Sequence, residues 1–168
     1  ATVMAKLDEQ YSKHIIRLEK KLIGENGEIK HKKLSLKKLA DHCYKYCYSK
    51  LLDEQRTAAN CRRTIRYYEK LLEISADNNI EIYLKLAHLY LTRQQYETSY
   101  TLLKKANVDK KPPTIYSALH FMIAMYELQK FAEIRKFAKK YRKIINKNNP
   151  KAYSIFDSLE CWSKGYVA

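Results

Sequence analysis

The chain has 168 residues, of which 46% are hydrophobic, a content that fits one globular domain with its own core and excludes a disordered polypeptide. Its 33 Lys and Arg residues against 18 Asp and Glu residues give a formal charge of +15, which favours anionic partners: nucleic acid, acidic peptides or an anionic membrane surface. Only 3 glycines and 3 prolines occur, and no Asn-Gly or Asp-Gly turn links alternating apolar runs, so the composition favours an all-α fold over a sheet.

The first three predicted helices are amphipathic. In 2–24, steps of three and four residues separate the members of one apolar face: Val3, Leu7, Tyr11, Ile15, Leu18 and Leu22. A charged loop follows, and Ser35 is predicted to open a second helix whose apolar side continues to Leu52. The same spacing predicts a third helix over 58–72, which the polar segment 75–79 ends.

The segment YLKLAHLYLTRQQYETSYTLLKKA, residues 83–106, is predicted to form two short antiparallel helices with the polar turn RQQ between them. The first, 80–92, carries large and small residues on one face: Tyr83, Leu86, Ala87 and Tyr90. The second, 96–106, turns three residues inward: Ser99, Leu103 and Ala106. The prolines that follow end it, because proline cannot continue a helix.

Three further helices are predicted toward the C-terminus, over 115–128, 131–145 and 151–164. The last is expected to bury one face, made of Tyr153, Phe156, Leu159 and Trp162. In total we expect about seven helices joined by short links, and no strand.

The spacing of large and small residues within 80–111 resembles the tetratricopeptide repeat. The positions that match its pattern are Tyr83, Leu86, Ala87, Tyr90, Tyr96, Ser99, Leu103 and Ala106, with Pro112 one residue late. Small residues at Ala87 and Ser99 would let the two helices approach closely. The next unit resembles the family less closely, with Phe131 as the turn aromatic and Ala138 near the small position, and 35–74 is similar only in architecture.

This resemblance implies a single helical-repeat domain over 1–168, an all-α, right-handed α-solenoid of antiparallel helix pairs. Its parts would be an N-terminal capping helix, a divergent helix pair, the best-matching unit, a second unit and a C-terminal helix, at 2–24, 35–74, 80–111, 115–149 and 151–164. The terminal helices would cap the stack, or else continue into further chain or a partner.

Proteins of this family usually bind other proteins in a groove lined by the first helices of successive units. The resemblance therefore implies a protein–protein interaction module, an adaptor or scaffold segment of an intracellular complex that takes a peptide or helix. The expected groove residues are Lys85, His88, Tyr116, Leu119, His120, Ile123 and Tyr126. They suit a partner with an apolar anchor and acidic neighbours, although the apolar members could instead pack on a neighbouring helix. His88 and His120 could meet there. The family's carboxylate clamp is not expected, because these helices carry no asparagine on that face.

A basic run between Lys130 and Lys151 supports an alternative function, a helical-repeat protein that binds nucleic acid. Its members are Arg135, Lys136, Lys139, Lys140, Arg142, Lys143 and Lys147. The same run could instead be a solvated outer face, or could meet an acidic protein. A smaller cluster of Arg62, Arg63 and Arg66 leaves the same choice open.

Motifs for catalysis or for cofactors are absent from the sequence: it has no Gly-rich phosphate loop, no HExxH and no GxSxG. We therefore expect neither an enzyme nor a cofactor. The four cysteines, Cys43, Cys47, Cys61 and Cys161, form no CxxC and are expected to be buried, reduced thiols rather than a metal site. Without a secretory signal or a run of ~20 apolar residues, an intracellular protein, cytoplasmic or nuclear and not in a membrane, is expected.

Overall fold

A computed structural model of the chain describes residues 2–76, 78–145 and 149–167, and the side chains of all of these except 143–145, 166 and 167. The described residues form eight helices and no strand, apart from one isolated bridge between Ile23 and Ile29. The helices are α1 (Val3–Leu22), α2 (Lys33–Cys47), α3 (Glu54–Ile74), α4 (Ile80–Thr92), α5 (Tyr96–Lys105), α6 (Ile115–Glu127), α7 (Phe131–Ile145) and α8 (Pro150–Val167).

The all-α expectation is confirmed, but the number of helices is one more than the seven expected. Each of the eight segments whose spacing predicts a helix forms one, so the expected total of about seven is one too low. Asp53 starts α3 with a side-chain cap, in which its Oδ1 accepts the N–H of Arg56 at 2.8 Å. The second helix also begins earlier than expected, at Lys33 rather than at Ser35.

The chain divides into two compact units, Ala1–Ile82 and Tyr83–Ala168. In the first unit, α2 packs against both α1 and α3. The buried side of α1 consists of Ile15, Leu18 and Leu22, whereas Val3 and Leu7 are exposed. The apolar face predicted for 2–24 is therefore fully buried only in its C-terminal half.

Three of the four cysteines lie in the core of the first unit, as expected. The Sγ atoms of Cys47 and Cys61 are 3.2 Å apart, and Asn60 donates to the Cys43 carbonyl at 2.8 Å and to Cys47 Sγ at 3.0 Å. Hydrogen bonding from Cys61 outweighs burial and lowers the pKa of Cys47 to about 7. Cys161 differs from the expectation, because it is exposed on α8.

In the second unit, small residues let α4 and α5 pack closely. Ala87 and Ser99 are fully buried, and Ser99 Oγ donates to the Ala87 carbonyl at 2.7 Å. Leu103 and Ala106 are buried beside them, as their spacing predicted. Helix α6 then packs on α5, α7 and α8, and α8 also packs on α7, so that each helix contacts its sequence neighbour or the next one.

The ends of three helices in this unit share one backbone geometry. Gln94, Asn107 and Gln129 adopt positive φ values of 62°, 58° and 59°, each shortly after the end of α4, α5 or α6. The residue after each of them donates to a carbonyl five residues back, at 2.8–3.1 Å, which is the Schellman arrangement. A left-handed residue of this kind reverses the chain within a few residues, so consecutive helices pack side by side.

Candidate functional site

The predicted groove residues lie on α4 and α6 of the second unit. The rings of His88 and His120 stack there, with centroids 4.2 Å apart and an interplanar angle of 20°. Burial lowers the pKa of His88 to about 4, and burial together with the neighbouring His88 lowers the pKa of His120 to about 3. Both imidazoles are therefore neutral at pH 7 and pack against each other on this face.

The other predicted groove residues on α6 differ in exposure. Tyr116 is 60% exposed, and its hydroxyl accepts a hydrogen bond from Asn149 Nδ2 at 3.3 Å. Leu119 is buried, which fits the alternative that it packs inside the unit. Ile123 is half-buried, as is Lys85 on α4. The face is thus an interrupted surface and not a continuous apolar strip.

An aromatic pair marks the C-terminal end of this face. The ring of Tyr126 on α6 lies 5.9 Å from the ring of Trp162 on α8, centroid to centroid. Trp162 is 56% exposed, so the expectation that it lies on the buried face of its helix is wrong. The residues of α8 that are buried instead are Ala152, Phe156, Leu159, Glu160 and Ser163. Trp162 lies at the edge of the helix face that these residues form, since successive helical residues are rotated by about 100°.

An open cleft of about 580 Å³ adjoins this aromatic pair, and Tyr126, Cys161, Trp162 and Gly165 line it. We call Tyr126, Trp162 and the cleft beside them the aromatic cleft. Large aromatic side chains at an open surface are the groups that most often anchor protein partners. The sequence predicted Tyr126 as a groove residue and allowed the C-terminal helix to continue into a partner.

The predicted basic patch divides into residues with different roles. Arg142 is held inside the unit: Nη1 lies 2.9 Å from Glu160 Oε1, while Nη2 lies 2.8 Å from Asp157 Oδ1 and 3.0 Å from the Tyr153 hydroxyl. This guanidinium links α7 to α8, so its hydrogen bonds are made largely within the unit, while its role in a partner-binding patch stays a prediction. Because all three partners lie on α8, the sequence of α7 could not indicate this.

The remaining basic residues of α7 also lie in several environments. Arg135 is half-buried, and its buried Nε has no hydrogen-bond partner among the described residues. Lys139 is exposed. Lys136 and Lys140 border a pocket together with lysines from α5 and from the loop after it. The side chain of Lys143 and the whole of Lys147 lie outside the described residues.

The arginine cluster of α3 is largely engaged within the first unit. Arg63 Nη1 lies 3.0 Å from Glu19 Oε1, and Arg66 Nη2 donates to the Gly27 carbonyl. Arg62 is exposed. Two of the three guanidinium groups thus tie α3 to α1 and to the loop after α1, which lowers the number that a polyanion could reach.

No group of three or more His, Cys, Asp or Glu side chains in the described part of the chain is arranged to hold a metal ion. Of the helices formed by these residues, none is both long enough and apolar enough to cross a membrane. Comparison of the chain with protein-family models, with curated proteins and with solved structures yields no match. The resemblance to tetratricopeptide repeats therefore depends only on the spacing of large and small residues within the chain.

Proposed function

We propose that this chain is a protein–protein interaction module, an adaptor or scaffold segment of an intracellular complex, and that it binds a partner peptide or helix on the face of α6 and α8. The observation that carries the proposal is the aromatic cleft: Trp162 is 56% exposed and lies against Tyr126 beside an open cleft. Burying an exposed tryptophan in a partner is a strong driving force for association.

The repeat architecture supports this proposal. Three positions of the best-matching unit and the positions about one tetratricopeptide period later are alike in being buried. Leu86 and Phe121 are buried, as are Ala87 and Met122, and Leu103 and Ala138. The turn residues Gln94 and Gln129 share the left-handed conformation at the same offset. A right-handed α-solenoid, the arrangement that the resemblance implies, would produce this correspondence and would place α4, α6 and α8 along one binding face.

Exposed residues elsewhere on α6 and α8 extend the proposed contact beyond the cleft. Ile155 is 42% exposed and lies two helical turns before Trp162 on the same side of α8, while Tyr116 is exposed on α6. A partner helix with apolar residues at steps of three and four would cover these side chains and the aromatic cleft together. Lys85, a predicted groove residue on α4, would favour acidic positions in the partner.

The proposal is tested by affinity capture from a nuclease-treated cell lysate, read by mass spectrometry, with the intact chain and its Trp162→Ala variant as baits. Leu34→Ala is the matched control, because Leu34 is an exposed apolar residue of the first unit. We expect discrete protein partners that survive nuclease and moderate salt, that are lost with Trp162→Ala and that persist with Leu34→Ala. If nuclease removes every partner, the alternative replaces this proposal: a nucleic-acid-binding helical repeat that uses the basic run 130–151.

A further inference from the structure

A second pocket lies on α5, α6 and α7, and none of the predicted groove residues lines it. Its volume is about 340 Å³. Its floor is apolar and consists of Tyr100, Phe121, Met125 and Phe137. The ring of Phe121 stacks on Tyr100 with centroids 5.4 Å apart and meets Phe137 edge-on at 5.1 Å. Because the three rings hold one another, the floor is formed before any ligand arrives.

The rim of this pocket is positively charged. Four lysines from α5, from the loop after it and from α7 line it: Lys104, Lys110, Lys136 and Lys140. The Lys104 ammonium lies 5.4 Å from the centroid of the Tyr100 ring, and Lys130, just outside the lining, lies 5.0 Å from it on the same ring. Aromatic faces thus hold two ammonium groups near the floor. We call the apolar floor together with these four rim lysines the lysine-rimmed pocket.

Two acidic residues in the lining, Asp109 and Glu133, offset only part of this charge. Glu133 is itself engaged, because it accepts the Tyr100 hydroxyl at 3.0 Å and lies 3.9 Å from Lys130. The pocket therefore has an apolar floor beneath a rim of excess positive charge.

We propose that the lysine-rimmed pocket binds an acidic segment of a partner protein, which inserts one aromatic or aliphatic side chain between α5 and α7. A pocket of about 340 Å³ is near the lower limit for ligand pockets, a size that suits one large side chain rather than an extended surface. Carboxylates on either side of that anchor pair with the rim lysines, and backbone N–H groups of the peptide reach Asp109 and Glu133.

Charge and shape favour a peptide over a nucleic acid at this site. A polynucleotide needs a track of cations along its phosphates, whereas these lysines converge on a single apolar pocket. A phosphodiester backbone also offers no N–H donor for the two carboxylates of the rim. Arg142 could extend the row of cations on α7, but its guanidinium forms ion pairs with Glu160 and Asp157.

Fluorescence anisotropy with short fluorescein-labelled peptides tests this proposal on the whole chain. The probes carry one Phe, Leu or Trp flanked by glutamates, and the comparison probes replace the anchor with Ala or the glutamates with Gln. We expect saturable, salt-sensitive binding of at least one anchored acidic probe, and roughly tenfold weaker binding to the comparison probes. The double variant Lys136→Glu, Lys140→Glu should weaken binding roughly tenfold or more, since attraction becomes repulsion at two exposed rim positions.

Lys139→Glu is the matched control, because Lys139 is an exposed lysine of α7 outside the pocket lining. It should leave binding within about twofold, and so should Trp162→Ala, which separates this site from the aromatic cleft. Equal weakening by Lys139→Glu and the double variant would show a diffuse charge effect and overturn the proposal. It is also overturned if no anchored acidic probe binds saturably, or if a single-stranded oligonucleotide displaces a bound probe and depends on the same two lysines.

Discussion

The imidazole rings of His88 and His120 stack face to face, with centroids 4.2 Å apart, although the two residues belong to different predicted repeat units. Each ring lies in a poorly solvated position, and its folded-state pKa is about 4 for His88 and about 3 for His120, against 6.5 for an ordinary histidine. Because His88 lies on α4 and His120 on α6, the stacked pair joins the two helices. Protonation of the pair is therefore coupled to the folding of the second unit.

The first prediction concerns this pair. Below about pH 6.5 the unfolded chain binds protons at both histidines while the folded chain does not, so the free energy of unfolding falls as pH falls toward about 4. At about pH 5 the loss reaches up to about 2 kcal/mol for each ring, since one pKa unit corresponds to about 1.4 kcal/mol. Urea denaturation across this range should show a flatter pH profile for His88→Phe than for the unmodified chain. His31→Phe is the control, because His31 is exposed, and equal profiles for the two variants would contradict the prediction.

The second prediction concerns the left-handed turn residues. Gln94 and Gln129 have φ values of 62° and 59°, a conformation that costs a residue with a side chain about 1–2 kcal/mol. Glycine avoids that cost but loses more backbone entropy, about 0.5–1 kcal/mol. Each substitution to Gly should therefore raise the free energy of unfolding by up to about 1 kcal/mol, measured by urea denaturation. Gln10→Gly, in the middle of α1, is the control and should lower the free energy of unfolding by about 1 kcal/mol. Stabilisation by all three substitutions would contradict the prediction.

The third prediction concerns the contact between α4 and α5. Ala87 is fully buried, and its carbonyl accepts the Ser99 hydroxyl at 2.7 Å, so a larger side chain at this position has no space. Ala87→Leu should destabilise the chain by about 1–3 kcal/mol through overpacking. Ala132→Leu makes the same change at an exposed position of α7 and should stay within about 0.5 kcal/mol. Thermal unfolding followed by circular dichroism would measure both, and similar midpoints for the two variants would refute close packing at Ala87.

The fourth prediction concerns the attachment of α8. Arg142 bonds to Glu160, Asp157 and Tyr153, and Glu160 is nearly buried, with its Oε2 lacking a hydrogen-bond partner in the described part of the chain. Arg142→Ala removes the guanidinium from that carboxylate and leaves it only the Lys164 ammonium, 3.2 Å from Oε1, so it should cost roughly 1–3 kcal/mol. Limited proteolysis should then cleave within α8 faster than in the unmodified chain.

Lys139→Ala is the control for this prediction, because it removes a neighbouring charge of α7 that is exposed to solvent. Its proteolysis rate should match that of the unmodified chain. Faster cleavage with both variants would attribute the effect to the general charge of α7 instead of the bonds made by Arg142.

The helices and the close packing of α4 on α5 could be predicted from the sequence, whereas the composition of the candidate sites could not. A spacing of three or four residues between inward-facing side chains depends only on local helix geometry. The inward positions Ala87, Ser99 and Leu103 were therefore predicted correctly. The basic run of α7 looked uniform, but Arg142 is paired and Lys136 borders a pocket. No pattern within one helix reports which side chains a later helix will bring beside it.

The sequence by itself determined that this protein is helical, that α4 and α5 are two helices and not one, and that small residues lie where they meet. These are short-range consequences of side-chain size, helical period and turn residues. Only the tertiary structure decided that Trp162 is exposed beside Tyr126, that Glu160 and Asp157 occupy Arg142, and that lysines of α5 and α7 surround one apolar pocket. The physical reason is that exposure and pairing depend on the rotation and position of one helix against another, which distant side chains set together.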